Sequence, residues 1–211
     1  MSDFKPATLS RYFVTAIGTD SGKTLVSAIV CEALRADYWK PIQAGLPRDT
    51  DTVKSLVSNE KTQFHPEAYL LNTPASPHAA AKADGVEISM TKIKLPQTDN
   101  CLIIEGAGGL LVPLNDYDFV SDLIIEFKAE VILVANLYLG SINHTLLSAE
   151  YLKTHKVPVA GIIFNGPSNP ESEQIIMAKT GWPVLLHIKE EEKIDKEVVK
   201  KYAAQLNENW K

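Results

Sequence analysis

The stretch Tyr12-Phe13-Val14-Thr15-Ala16-Ile17-Gly18-Thr19-Asp20-Ser21-Gly22-Lys23-Thr24 constrains this chain more than any other. An apolar β-type run, Tyr12 to Ile17, feeds a short turn. Gly22-Lys23-Thr24 then opens an amphipathic segment from Leu25 to Leu34. That is the order of a strand, a phosphate-binding loop and a helix. Backbone N–H groups of such a loop converge on one point, where the helix dipole adds about half a positive charge. Thr19, Asp20, Ser21 and Gly22 would form the cradle, Lys23 would meet the β- and γ-phosphates, and the Thr24 hydroxyl would be a Mg²⁺ ligand. The usual spacing puts its first glycine where Ile17 stands, with Ala16 and Gly18 to either side. A tight turn with an incidental Gly-Lys-Thr is the bland alternative. Strand, turn and helix all fall where the motif needs them, so the expectation is nucleoside triphosphate binding.

A chain of 211 residues is long enough for one domain with a substantial core. A net charge of −5 argues against nucleic acid as a partner, since such binders carry a basic surface. Cys31 and Cys101 lie in apolar contexts and read as buried thiols of a reducing compartment. Met1 to Arg11 is polar and lacks the apolar core of a signal peptide. No stretch approaches the roughly 20 apolar residues that span a bilayer. The expectation is a single cytoplasmic domain, residues 1–211, with no membrane partner.

Strand-like runs recur at Tyr12–Ile17, Tyr38–Ile42, Cys101–Glu105, Val131–Ala135, Val159–Phe164 and Pro183–His187. Several are nearly continuous in apolar residues, as strands covered on both faces must be. Helical candidates fall between them at Lys23–Arg35, Asp51–Val57, Ser76–Lys82, Phe119–Phe127, Asn143–Thr154 and Glu171–Lys179. A last helix, Glu190–Asn207, repeats Ile194, Val198, Tyr202 and Leu206 on one face. This alternation predicts an α/β fold of the P-loop NTPase kind, a parallel sheet with helices on both faces. In such sheets the ligand lies beyond the C-terminal strand ends.

The strand ends supply the candidates. Lys40-Pro41 reads equally as an ammonium aimed at phosphate or acidic substrate and as a solvated lysine beside a rigid turn. Asp49 and Asp51 stand at a helix start, where capping is the ordinary role and a metal ligand the alternative. Glu105-Gly106-Ala107-Gly108-Gly109 ends a buried strand with a carboxylate, the usual anchor for Mg²⁺ and its waters. Its glycines let backbone N–H groups approach phosphate or substrate. Gly140-Ser141-Ile142-Asn143-His144 reads as a helix cap or as an anion site. Asn165 reads as a partner for the adenine edge or as a turn residue.

Taken in order, these pieces resemble the dethiobiotin synthetase family. The shared residues are Phe13-Val14-Thr15, Gly18-Thr19-Asp20, Gly22-Lys23-Thr24, Lys40 to Gly45, and Asp49/Asp51. They continue with Pro74-Ala75-Ser76-Pro77-His78, Glu105 to Gly109, Leu139 to His144, and Asn165. The resemblance covers about Tyr12 to Asn165 and rests on the combination. It implies an ATP- and Mg²⁺-dependent cyclo-ligase that makes dethiobiotin from 7,8-diaminononanoate and CO₂, through a carbamate and a carbamic–phosphoric anhydride. It implies a homodimer with substrate bound across the interface. Lys23 and Lys40 would then be catalytic, and Thr24, Asp51 (in preference to Asp49) and Glu105 would hold Mg²⁺. Nucleotide would meet Thr19 to Thr24, Glu105, Gly106, Ala107, Gly108 and Asn165. Substrate would meet Thr19, Lys40 and Ala44, with Gly140, Ser141 and Asn143 reaching its distant carboxylate from the second subunit.

Four departures from the family pattern carry expectations. Ala16 replaces a glycine and requires negative φ there. Ala44 replaces a serine that in some members touches substrate. Gly85–Asn100 is short and contains Pro96, which predicts a curtailed helix. Leu185 to Lys189 lacks the Gly and Pro that often follow this strand near the base. Competing readings are a cobyrinate-type amide synthetase, a ParA- or MinD-like ATPase switch, and a protein that binds nucleotide without turnover. The first would carry a glutamine-hydrolysing domain for which 211 residues leave no room. The second usually adds a lysine at the start of its phosphate loop, and Ala16 to Ser21 contains none. Against the third stand Lys23, Thr24, Lys40 and Glu105.

Overall fold

A computed structural model describes residues 10–210. The polar stretch before Ser10, read above as lacking a signal peptide, lies outside the described residues. Seven parallel strands form the main sheet in the order β4-β2-β6-β1-β7-β8-β9. They are β1 (Arg11–Ala16), β2 (Asp37–Trp39), β4 (Phe64–His65), β6 (Leu102–Gly109), β7 (Glu130–Asn136), β8 (Val159–Asn165) and β9 (Val184–Ile188). A small parallel pair, β3 (Ile42–Ala44) with β5 (Tyr69–Leu71), stands apart from it. The helices are α1 (Lys23–Leu34), α2 (Asp49–Leu56), α3 (Pro77–Ala83), α4 (Val120–Phe127), α5 (Ser141–Thr154), α6 (Pro170–Thr180) and α7 (Lys196–Asn209).

The pleat sorts each strand's apolar run between two cores. On β7, Ile132 and Val134 join Val14, Ile103 and Ile163 against Val26, Ile29, Val53, Val199 and Leu206 of α1, α2 and α7. Val131 and Leu133 point the other way, joining Phe13, Leu102 and Ile104 against Val120, Leu123, Phe127 and Leu152 of α4 and α5. A smaller cluster seats Ile176 of α6 on Ile162 and Phe164. Helices on both faces therefore bury nearly every apolar side chain of the central strands, as the continuous runs required.

One expected strand, Tyr38–Ile42, is two. β2 ends at Trp39 in the main sheet, and Ile42–Ala44 pairs with Tyr69–Leu71 instead. The break falls at Lys40-Pro41, where proline has no N–H to give a ladder. The Pro41 carbonyl accepts from the Ala68 and Tyr69 amides and so starts the second pair. The two-residue strand β4 was not anticipated, because two residues carry no period. α5 opens at Ser141, two residues before the expected start, behind Gly140 at φ 107. The last helix opens later than expected, at Lys196, because the Asp195 carboxylate accepts from the Glu197 and Val198 amides. Ile194 therefore lies outside the helix whose apolar stripe it was assigned to. Between Asp84 and Cys101 only one turn of 3-10 helix forms, Met90–Lys92, in keeping with a curtailed helix.

Candidate active site

The phosphate loop joins β1 to α1 between the central strands. Its positive φ values fall on Asp20 (57) and Gly22 (95) and not on Ala16, which stays in strand conformation opposite Gly109. A methyl group at position 16 is therefore accommodated. Gly22 is fixed for two reasons: its φ, and a Cβ there would lie 2.2 Å from Asn165 Nδ2. That amide nitrogen donates to the Ser21 carbonyl at 2.9 Å, so the end of β8 braces the loop from below. Ser21 Oγ and Lys23 Nζ both donate to the Gly18 carbonyl at 3.2 Å. Lys23 is thus folded back across its own loop. Burial, with repulsion from Lys40, lowers the Lys23 ammonium below its ordinary value.

Glu105 is the hub. Val14 pairs with Glu105 across β1 and β6, and Trp39 with Ile104 across β2 and β6, which brings Lys40 beside the carboxylate. Glu105 is 1% exposed. Its Oε1 accepts from Thr24 Oγ1 and from Lys40 Nζ, each at 3.0 Å, and its Oε2 from Tyr38 Oη at 2.9 Å. Lys40 also donates to Asp49. Burial opposes the Lys40 charge, but Glu105 and Asp49 together hold its pKa above the ordinary value. Burial and then Glu105 push the Tyr38 phenol far up, so it stays a donor.

The two acids of α2 part company. Asp49 lines the cleft and reaches Lys40. Asp51 pairs outward with Arg48 at 2.7 and 2.9 Å, its side chain 55% exposed. Residues two apart on a helix point in nearly opposite directions, so only one can face the site. Of the two acids, Asp49 and not the expected Asp51 is the one that faces the cleft. Gln43 fixes that choice: its Oε1 accepts from the Asp49 amide at 3.0 Å while its Nε2 donates to the Gly45 carbonyl at 2.9 Å. Thr50 Oγ1 donates to Glu67 Oε1 at 2.6 Å and secures the same turn.

A cleft of about 740 Å³ opens over this cluster. Of the expected residues, Thr19, Asp20, Gly22, Lys23, Thr24, Lys40, Ala44, Glu105, Ala107 and Gly108 line it. Gly106 does not, and it packs against Phe13, 2.7 Å from where a Cβ would sit. Ser21 is buried, with its hydroxyl turned to Gly18. Gly140, Ser141 and Asn143 stand outside the cleft, at the start of α5 beside fully exposed Leu139. Sequence reasoning gives no role to Gln43, which enters only within the Lys40 to Gly45 run, or to Tyr38, which reads as an ordinary strand residue. Their polar atoms were the available signal, since a buried amide or phenol needs a partner.

Comparison with known proteins bears on family and fold. Residues 10–198 match the AAA domain family AAA_26. The ATP-dependent dethiobiotin synthetase BioD of Cytophaga hutchinsonii is 61% identical over 204 residues, covering 96% of this chain and 99% of that protein. Its namesake in Christiangramia forsetii is 53% identical over 194 residues, covering 91% and 93%. Among solved structures, a ParA family ATPase from Chlorobium tepidum superposes with a TM-score of 0.58 at 13% identity, covering 95% and 96% of the two chains. The septum site-determining protein MinD of Pyrococcus horikoshii gives 0.58 at 14%, covering 94% and 96%. Likeness at that identity speaks for the fold alone, whereas the sequence relatives run nearly end to end. The chain belongs to the ATP-dependent dethiobiotin synthetase family.

Proposed function

We propose that this chain, as a single P-loop ligase domain, closes the ureido ring of dethiobiotin from 7,8-diaminononanoate, CO₂ and ATP. The observation that carries the reading is the convergence of Lys23, Thr24, Lys40, Asp49 and Glu105 at one end of the cleft. Two ammonium groups there suit a reaction that gathers a triphosphate and a carbamate in one place. One substrate amine and CO₂ form the carbamate. A carbamate oxygen attacks the γ-phosphorus, and ADP leaves with the electrons of the broken P–O bond. The second amine then attacks the carbonyl carbon, the C–O bond to phosphate breaks, and the amine proton is lost as the ring closes. Lys23 and Lys40 stabilise charge on the transferring group and on the carbamate, where preorganised charge contributes most.

The donor set fits Mg²⁺. Thr24 Oγ1, Glu105 and Asp49 present hard oxygens and too few carboxylates for a closed protein cage, as expected of an ion that shares its shell with phosphate and water. Bound there, Mg²⁺ would neutralise charge on the β- and γ-phosphates. Ala107 and Gly108 line the cleft with Ala44 and Thr19 and are suited to backbone contact with phosphate or substrate. Asn165 keeps its Oδ1 available to accept from the adenine amine while Nδ2 holds the loop. No described helix is long and apolar enough to cross a membrane, and a cytoplasmic homodimer is the natural setting for this reading. In that dimer Gly140, Ser141 and Asn143 would reach the partner's substrate, for they do not line their own cleft.

Incorporation of labelled bicarbonate into an acid-stable product tests the reading. Label should appear only when MgATP and the diamine are both present. Acid-stable product formed without ATP would refute it.

A further inference from the structure

Tyr38 stands outside the chemistry described so far and touches its central carboxylate. Its ring is wholly buried among Val14, Cys31, Val53 and Ile103, and tilts against Phe64 with centroids 6.0 Å apart. Full burial limits where the hydroxyl can go, and it goes to Glu105 Oε2 at 2.9 Å. The other carboxylate oxygen, Oε1, meets Thr24 and Lys40 on the cleft side. The terminal torsion of a glutamate is soft, with broad and roughly two-fold preference. Without a donor on one oxygen, the carboxylate plane would swing, and Oε1 would leave the direction of Thr24.

We propose that Tyr38 is a positioning residue that anchors one oxygen of Glu105 so that the other is presented, already oriented, to a divalent cation beside the nucleotide phosphates. This rests on the reading of Glu105 as a metal-binding residue. The opposite dependence, in which Glu105 merely satisfies a buried phenol, makes a different prediction. A phenol that only needed a partner is removed without harm when the ring stays and the hydroxyl goes. An anchoring hydroxyl is not, because losing a partner behind a metal ligand typically weakens metal binding by about 10- to 100-fold.

The test is Mn²⁺ binding, followed by electron paramagnetic resonance in the presence of saturating ADP, for the whole chain and for Tyr38→Phe and Glu105→Gln. ADP binding in EDTA is measured on each as a check on the fold. The expected result is Mn²⁺ binding about 10-fold weaker in Tyr38→Phe and weaker still in Glu105→Gln, with metal-free ADP affinity unchanged in Tyr38→Phe. A Tyr38→Phe protein that binds Mn²⁺ like wild type while Glu105→Gln does not would overturn the role of Tyr38 alone. Wild-type Mn²⁺ affinity in Glu105→Gln would instead remove the metal reading, and this proposal with it. Parallel loss of metal-free ADP binding in Tyr38→Phe would make the tyrosine a packing residue and overturn the proposal too.

Discussion

Asp49 and Asp51, two residues apart on one turn of α2, serve opposite surfaces: Asp49 meets the buried Lys40, and Asp51 meets the exposed Arg48 at 2.7 Å. Their variants should separate cleanly. Asp49→Asn should lower turnover by about 10²-fold, as loss of a charged group at the reacting phosphate does. Asp51→Asn should stay within about twofold of wild type, since exposed pairs contribute little. Steady-state rates at saturating MgATP measure both, and equal losses would return Asp51 to the site.

Lys23 gives a pH dependence. Burial and Lys40 lower its ammonium below 10.5 in the nucleotide-free protein. Activity needs the charged form, so kcat/KM for ATP should be full below that lowered value and fall as pH rises through it. Lys23→Arg, charged at any such pH, should move the alkaline limb upward whatever its absolute rate, and Lys23→Ala should lose about 10²-fold or more in turnover. Stability runs the other way. The unfolded lysine holds its proton more tightly, so the cost of burying the charge is largest at low pH and lessens as pH rises through the folded value.

Asn165 braces the phosphate loop, and under the proposed function it also accepts from the adenine amine. Asn165→Ala removes the 2.9 Å bond to the Ser21 carbonyl and the acceptor offered to adenine. The KM for ATP should rise about 10-fold, as loss of one or two buried hydrogen bonds implies, and the preference for ATP over GTP should narrow, with kcat changed less. Unaltered ATP/GTP selectivity would leave Asn165 as a brace only.

Far from the cleft, Asp37 collects Thr98 Oγ1 at 2.6 Å, Asn100 Nδ2 at 3.0 Å, the Gln63 amide at 3.1 Å and His65 Nε2 at 3.1 Å. Burial works against its charge, but these donors hold its carboxyl below the ordinary value. Its contribution is therefore present above pH 3.8 and lost as pH falls through the folded value. Asp37→Ala leaves those donors without an acceptor and should cost about 2 kcal/mol, a Tm lower by about 4–8 °C. Thermal unfolding at pH 7 reads it, and turnover at 25 °C should be untouched.

Much of this was legible in the residues. The central strands β1, β6, β7 and β8 announced themselves because strands covered on both faces must be apolar throughout, and the phosphate loop followed from Gly22-Lys23-Thr24 between strand and helix. Lys40 and Glu105 were legible as strand-end charges. What stayed hidden depended on direction. Whether Asp49 or Asp51 turns inward is decided by Gln43, a buried amide whose bonds reach across the chain. Gly106 and Gly108 look alike in sequence, yet only Gly108 lines the cleft, and a side chain at either would meet a neighbour 2.7 Å away, Phe13 in one case and Val112 in the other. The break at Lys40-Pro41 needed the partner strand β5, whose three residues carry no period of their own. Gly140, Ser141 and Asn143 lie at the start of α5, away from the cleft lining, and no feature of the sequence says so.

Phosphate release from MgATP, followed with and without 7,8-diaminononanoate and bicarbonate and with the product weighed by mass spectrometry, tests the central claim most directly. The account predicts that rapid release requires both additions and that one dethiobiotin forms for each phosphate. Steady ATP hydrolysis indifferent to the diamine, with no product of that mass, would contradict it and point to a nucleotide switch built on the same fold.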